Sequence, residues 1–224
     1  MNDAVTYLNG YIWSRGLIYL CLGVGLYFSI RTRFMQVRGV GEMLRLMFRN
    51  QPSAAGVSSF QALAMSLSGR VGIGNIAGVA TAIAAGGPGA VFWMWTVAFL
   101  GASTAYVEST LGQIYKEQDD QGRYRGGPSY YIEKAMGQTW YAWIFALVTV
   151  VATGVLLPGV QANGIAAGVQ NAWGVSPAVT ALVVAVALGI IVIGGVTRIA
   201  RFAEVVVPVM ALAYILMAIV IVIL

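Results

Sequence analysis

Charge is what this sequence has least of. Acidic and basic residues together make up 9% of its 224 residues, and histidine is absent. Ordinary soluble domains carry roughly 25% charged residues. The single cysteine, Cys21, excludes an internal disulfide, and one cysteine without histidine leaves no ligand set for zinc or haem. The acids Asp3, Glu42, Glu108, Glu117, Asp119, Asp120, Glu133 and Glu204 do not fall at calcium- or magnesium-loop spacing, so no cofactor is expected from them. The opening "MNDAVTYLNG" lacks the basic n-region of a cleavable signal. There is no low-complexity tract and no short internal repeat.

Apolar residues take the place of the missing charge. Hydrophobic residues are 59% of the chain and the mean hydropathy is +0.79. The expected fold class is therefore an all-α integral membrane protein. Six apolar runs are each long enough to cross a hydrocarbon core of about 30 Å. They cover residues 12–30, 57–85, 89–115, 140–169, 177–195 and 202–224.

The connections between these runs alternate in charge. The first carries Arg31, Arg33, Arg38, Arg45 and Arg49, the third Lys116, Arg123, Arg125 and Lys134, and the fifth Arg198 and Arg201. The second and fourth, around "GGPGA" and "NAWGVS", carry none. With six crossings the odd connections share one side, which the positive-inside rule makes the cytoplasm, with the N-terminus outside. The net charge of +5 thus reports topology, with the anionic inner leaflet as partner and no nucleic acid. Trp13, Trp93, Trp95, Trp140, Trp143 and Trp173 fall at or near the ends of these runs, as an interfacial belt requires. The segment "GGPSYYIEKAMG" is too short to span. It reads either as a helix lying in the interface, with Tyr130, Tyr131, Ile132, Ala135 and Met136 on one face, or as an ordinary loop helix. The chain stops inside "LAYILMAIVIVIL", which reads as the end of an incomplete chain.

One run contradicts its own class. "SGRVGIGNIAG", residues 68–78, places Arg70, Asn75 and four glycines where an apolar helix is expected. Each interior glycine costs about 1 kcal/mol against alanine, and Arg70 at mid-depth adds about 2.5–3.5 kcal/mol on insertion scales. Three readings could offset this. Gly72, Gly74 and Ala77 match a G-x-G-x-x-G/A dinucleotide fingerprint, but that pattern has meaning only between a strand and a helix. Gly74 and Gly78 form a G-x-x-x-G packing face, which explains neither Arg70 nor Asn75. A helix broken in mid-membrane uses all of the odd residues: Gly72 and Gly74 give backbone freedom, including φ > 0, and Asn75 starts the outer half as an N-cap or cation ligand. Freed amides then face an anionic group and freed carbonyls a cation.

These residues also carry a resemblance. "SLSGRVGIGNIAGVATAIAAGGPGAVFWMW", followed by "YRGGPSYYIEKAMG" and "GVQAN", is similar to the sodium:alanine (amino acid carrier protein) symporter family. The resemblance runs from about "YIWSRGLIYL" to the chain end, and members are roughly twice this length, which implies an N-terminal half. It implies a leucine-transporter-type fold of two inverted five-helix repeats. Residues 1–224 are then one membrane domain: an extra helix at about 12–30, repeat one at about 57–224, and repeat two missing. It further implies that amides near Ile73 and Gly74, in the Gly72–Asn75 segment, hold a substrate carboxylate. Carbonyls of Ser68 and Val71 supply part of a sodium site, and Asn75 binds a second cation or braces the break. Gln161, after an expected kink at Pro158, contacts substrate from the fourth span or makes an interhelical hydrogen bond. Relatives often have Thr or Ser where this chain has Ile73, which leaves the backbone logic intact and reopens the side-chain preference of the pocket. Arg70 and Glu108 remain as a possible ion pair or gate.

The function implied is symport of a small neutral amino acid, alanine or glycine, with sodium by alternating access at the cell inner (plasma) membrane. No enzymatic activity is implied. A proton-coupled carrier is a close variant. A channel, for which polar rings along several spans are expected, a non-transporting membrane subunit and an inactive fragment of the symporter are the alternatives.

Overall fold

The computed structural model describes residues 2–48 and 57–223. Arg49 and the chain end at Leu224 lie outside the described residues. Helices follow one another as α1 (Asn2–Ile12), α2 (Arg15–Arg31), α3 (Met35–Arg38), α4 (Val40–Phe48) and α5 (Ser59–Ser68). A five-residue π turn, π1 (Gly74–Gly78), then leads into α6 (Val79–Gly86) and α7 (Gly89–Ile114). A small hairpin of β1 (Glu117–Gln118) and β2 (Tyr124–Arg125) precedes α8 (Pro128–Met136) and α9 (Thr139–Val151). A second π turn, π2 (Ala152–Leu156), feeds α10 (Leu157–Trp173), followed by α11 (Pro177–Val192) and α12 (Gly195–Ile223).

Among the described residues four stretches are long and apolar enough to cross a membrane: Val5–Arg31, Gly89–Ile114, Thr139–Trp173 and Gly195–Ile223. The second run, expected to be broken, is interrupted, and the fifth, expected over 177–195, is shorter than expected. The second run is cut between α5 and π1, leaving the shorter apolar helix Gly74–Gly86 beyond the cut. The fifth ends at Val192, and its 16 residues rise only about 24 Å at 1.5 Å each. It stops there because Gly195 takes φ +71° in the turn that follows. The Arg198 guanidinium then donates to the Ile190 carbonyl at 2.9 Å, satisfying an acceptor at the helix end. All six tryptophans are more than half exposed.

The chain divides into two compact units, and each has its own packing logic. The first comprises Met1–Met43, Ala82–Gln118 and Arg125–Ala142. Within it α2 packs on α7 through small residues. A Cβ at Gly25 would lie 2.9 Å from the Leu100 Cβ, so only glycine allows this approach. One turn on, Ser29 and Ser103 are fully buried, and the Ser29 hydroxyl lies 3.2 Å from that of Ser103. Both hydroxyls also donate to the Gly25 carbonyl, at 2.8 and 2.9 Å, and the Gln36 amide reaches Ser29 at 2.8 Å. Such hydroxyls join apolar helices that have no hydrophobic drive toward each other in lipid. The "GGPSYYIEKAMG" segment becomes α8, which packs on α7 with Ile132 buried. Gly127 and Gly137, at φ +113° and +67°, bound it at either end. Lys134 pairs with Glu117 and lies over the Tyr130 ring.

The second unit comprises Leu44–Thr81, Asp119–Tyr124 and Trp143–Leu224. Here α5 packs on α12, which in turn packs on α11, and α11 on α10. The α5–α12 seam is built from Ala64, Ala203 and Val207, all buried, with Met65 beside them. Small side chains let these two helices approach closely.

Candidate functional site

The break in the second run begins where α5 ends. The amides of Gly69, Arg70 and Val71 turn back to the carbonyls of Met65 (3.2 Å), Leu67 (3.0 Å) and Leu67 (2.9 Å). Among the described residues no hydrogen bond reaches the carbonyls of Ser68 and Val71. The Ser68 hydroxyl itself turns back to the Met65 carbonyl at 2.7 Å. After Gly72 the chain re-enters a helical path at Ile73, and the Asn75 amide closes a tight turn onto the Gly72 carbonyl at 3.0 Å.

Two expectations about this break are corrected. Neither Gly72 nor Gly74 takes a positive φ, so left-handed backbone is not why they are glycines. Asn75 does not cap the outer half: the position before π1 is Ile73, no side chain caps it, and Asn75 lies inside the π turn and exposed.

The reason for Gly72 is an approach from α10. A Cβ there would stand 3.0 Å from both terminal atoms of the Gln161 amide. That proximity lets the Ile73 N–H donate to the Gln161 Oε1 at 2.9 Å, a bond between residues 88 apart in sequence. Three residues along the same helix, Gly164 receives the Ile73 side chain: a Cβ at Gly164 would come within 2.5 Å of the Ile73 Cδ1. Gln161 and Gly164, one turn apart on α10, thus hold the backbone and the side chain of Ile73 respectively. Around Gly74, by contrast, a Cβ would meet nothing within 4 Å.

Both helices that meet here carry a π turn beside the contact. π1 starts one residue after Ile73, and π2 ends two residues before Pro158. Proline lacks the N–H that an α-helix would pass back to the carbonyl four residues earlier. The wider π turn, with i→i+5 bonds, accommodates that loss, and such turns are frequent at functional sites.

At the start of α5, Ser58 and Gln61 form a reciprocal capping box. The Ser58 hydroxyl accepts from the Gln61 amide at 3.2 Å and the Gln61 Oε1 accepts from the Ser58 amide at 3.1 Å. The remaining end of the same side chain, Gln61 Nε2, donates to Glu204 of α12 at 2.9 Å. Sequence reasoning did not single out these residues, although the S-x-x-Q spacing of a capping box was there to be read.

Arg70 and Glu108 fall in different units, and both are exposed. On α8, Tyr131 has its phenol pushed above the ordinary 10.0 by burial first, then by the negative charge of Glu108 and by Tyr141.

Long apolar helices and exposed tryptophans define a multi-pass integral membrane protein. The chain belongs to the sodium:alanine symporter family, whose description matches residues 1–224 throughout. YrbD of Bacillus subtilis, named for sodium/proton-dependent alanine carriage, is 58% identical over 223 residues, covering 100% of this chain and 46% of its own length. GlnT of the same organism, named for sodium/glutamine symport, is 43% identical over 96% of this chain and 45% of its own length. The sodium/alanine symporter AgcS of Methanococcus maripaludis is 38% identical over 97% of this chain and 49% of its own length. The chain thus spans about half the length of the curated relatives it matches.

Proposed function

We propose that this chain forms the first half of a secondary symporter that carries a small neutral amino acid, alanine or glycine, with sodium by alternating access. The observation that carries the reading is the interrupted helix between Ser68 and Gly74 with Gln161 brought against it. Irregular backbone inside an apolar bundle is tolerated where it lines a cavity or is buried in protein, and carriers use such breaks to bind their cargo. In this reading the amides of Ile73 and Gly74, in the Gly72–Asn75 segment, take the substrate carboxylate. Gln161 contacts the same substrate from α10. The carbonyls of Ser68 and Val71, with Asn75, contribute to sodium binding, which the second half of the protein completes. No covalent chemistry is involved.

The proposed architecture is a leucine-transporter-type inverted repeat, with residues 12–30 as an extra helix and 57–224 as repeat one. The N-terminus lies outside the inner membrane and the basic connections lie in the cytoplasm. Small cargo agrees with the names of YrbD and AgcS, whereas GlnT is named for a larger amino acid. Ile73, tucked against Gly164, is the side chain at the break best placed to set that choice.

The test is sodium-dependent uptake of labelled alanine into vesicles containing the full-length protein, repeated with Asn75→Ala and Gly74→Val. A Cβ at Gly74 would meet nothing within 4 Å, so the first atom added by Gly74→Val does not clash. Both variants should lose uptake. Transport that ignores sodium, or that survives Gly74→Val, defeats the mechanism. Dependence on a proton gradient alone selects the proton-coupled variant.

A further inference from the structure

We infer that Gln161 is a placeholder for the substrate: its side-chain amide occupies the backbone donor that the cargo must take. The inference rests on the reading that the Ile73 amide binds a carboxylate, and it adds the state of that amide before cargo arrives. The Ile73 N–H is engaged by the Gln161 Oε1 at 2.9 Å, and among the described residues the Gln161 side chain makes no other hydrogen bond. A carboxamide oxygen and a carboxylate oxygen present the same acceptor geometry to an N–H, and the ionised one forms the stronger bond.

The surroundings fit an exchange of ligands. Gly72 leaves room for the Gln161 amide and no more, since a Cβ would stand 3.0 Å from its Nε2 and its Oε1. The Ile73 side chain is held separately, against Gly164 one turn further along α10, so the N–H stays aimed when the amide leaves. Neighbouring donors are in different states: the Asn75 amide is already spent on the Gly72 carbonyl. When a carboxylate displaces Oε1, the side chain of Gln161 turns, and its free Nε2 becomes a donor to the second carboxylate oxygen. The same residue thereby closes the empty site and completes the filled one. A half-buried amide thereby keeps a partner through the cycle, which avoids part of the desolvation cost of an unmade bond.

The consequence is measurable without transport. Hydrogen–deuterium exchange of peptides spanning residues 71–75 is followed in the full-length carrier, with and without sodium plus alanine. In the empty protein, Gln161→Ala should speed exchange at the Ile73 amide about two- to tenfold, the worth of one net hydrogen bond. Gly72→Ala should do the same with Gln161 still present, because the new methyl evicts its amide. In both variants alanine with sodium should restore slow exchange. Exchange that is indifferent to both substitutions overturns the placeholder. So does a variant whose fast exchange alanine leaves untouched while it still takes up alanine. If uptake proves independent of sodium and alanine but exchange still follows Gln161, the contact stands and the transport reading fails instead.

Discussion

Substituting Gly164 by alanine tests the contact at the centre of the candidate site. The new Cβ would lie 2.5 Å from the Ile73 Cδ1, 2.6 Å from its Cγ1 and 3.4 Å from its Cβ. Carbon atoms pack best at about 3.5–4.0 Å. The Cδ1 can swing away by rotation about χ2, but the Cγ1 moves only with χ1. A β-branched side chain on helical backbone has one strongly preferred χ1, and Ile73 stands at φ −57° and ψ −30°. The clash is therefore relieved by moving backbone, at a cost of about 1–3 kcal/mol for an overpacked site. Ile73→Ala alone loses the packing of a half-buried side chain, at or below the low end of the about 2–5 kcal/mol lost by a fully buried one. Joined with Gly164→Ala, it leaves only the 3.4 Å approach, an ordinary contact. Thermal unfolding in detergent should show the double variant at least as stable as Gly164→Ala. The coupling expected between touching residues is about 0.5–3 kcal/mol. Losses that simply add would refute the contact.

Two further seams make independent predictions, read by the same unfolding assay. Glu204→Ala removes a hydrogen bond to a charged group, about 1.5–3 kcal/mol at full burial and less at this half-buried position. Gln61→Ala removes that bond and the reciprocal half of the capping box, while the Ser58 hydroxyl still accepts from the backbone amide at position 61. Deleting the neutral partner should therefore cost at least as much as deleting the charged one; the reverse order would sink the shared-clamp reading. In the first unit, Gly25→Ala meets Leu100 backbone at 3.2 Å and should destabilise more than Ser103→Ala, which loses interhelical hydrogen bonds worth about 0.6–2 kcal/mol in lipid. A Gly25→Ala protein as stable as the parent would mean that α2 and α7 do not approach as described.

The broken helix was legible because its residues are wrong for an intact one. Arginine, asparagine and four glycines within eleven positions of an apolar run leave few physical alternatives. The role of each glycine was not legible. Gly72 is fixed by a side chain from a helix 88 positions on, and no local pattern records that neighbour. The same limit hid Gln61 and Glu204: the cap is local and readable, but its partner lies 143 residues away. Of the two roles that suit Asn75, N-cap or cation ligand, the cap is ruled out by a π turn that starts ahead of it. π turns have no residue signature of their own, and only Pro158 hinted at the second. Hydropathy continues past the point where Gly194 and Gly195 turn the chain, so the apolar run is longer than α11 itself.

The second π turn fixes an angle. An α-helix rotates by about 100° per residue, so a turn that takes in one residue more than the ladder needs changes the phase of everything after it. Ala152–Leu156 is such a turn, and α10 follows it directly. With a regular ladder there, Gln161 and Gly164 would keep their spacing to each other and yet face about 100° away from Ile73. The irregular turn acts like an indexing tooth: it decides which side of α10 is presented to the break, while the residues on that side decide what is done there.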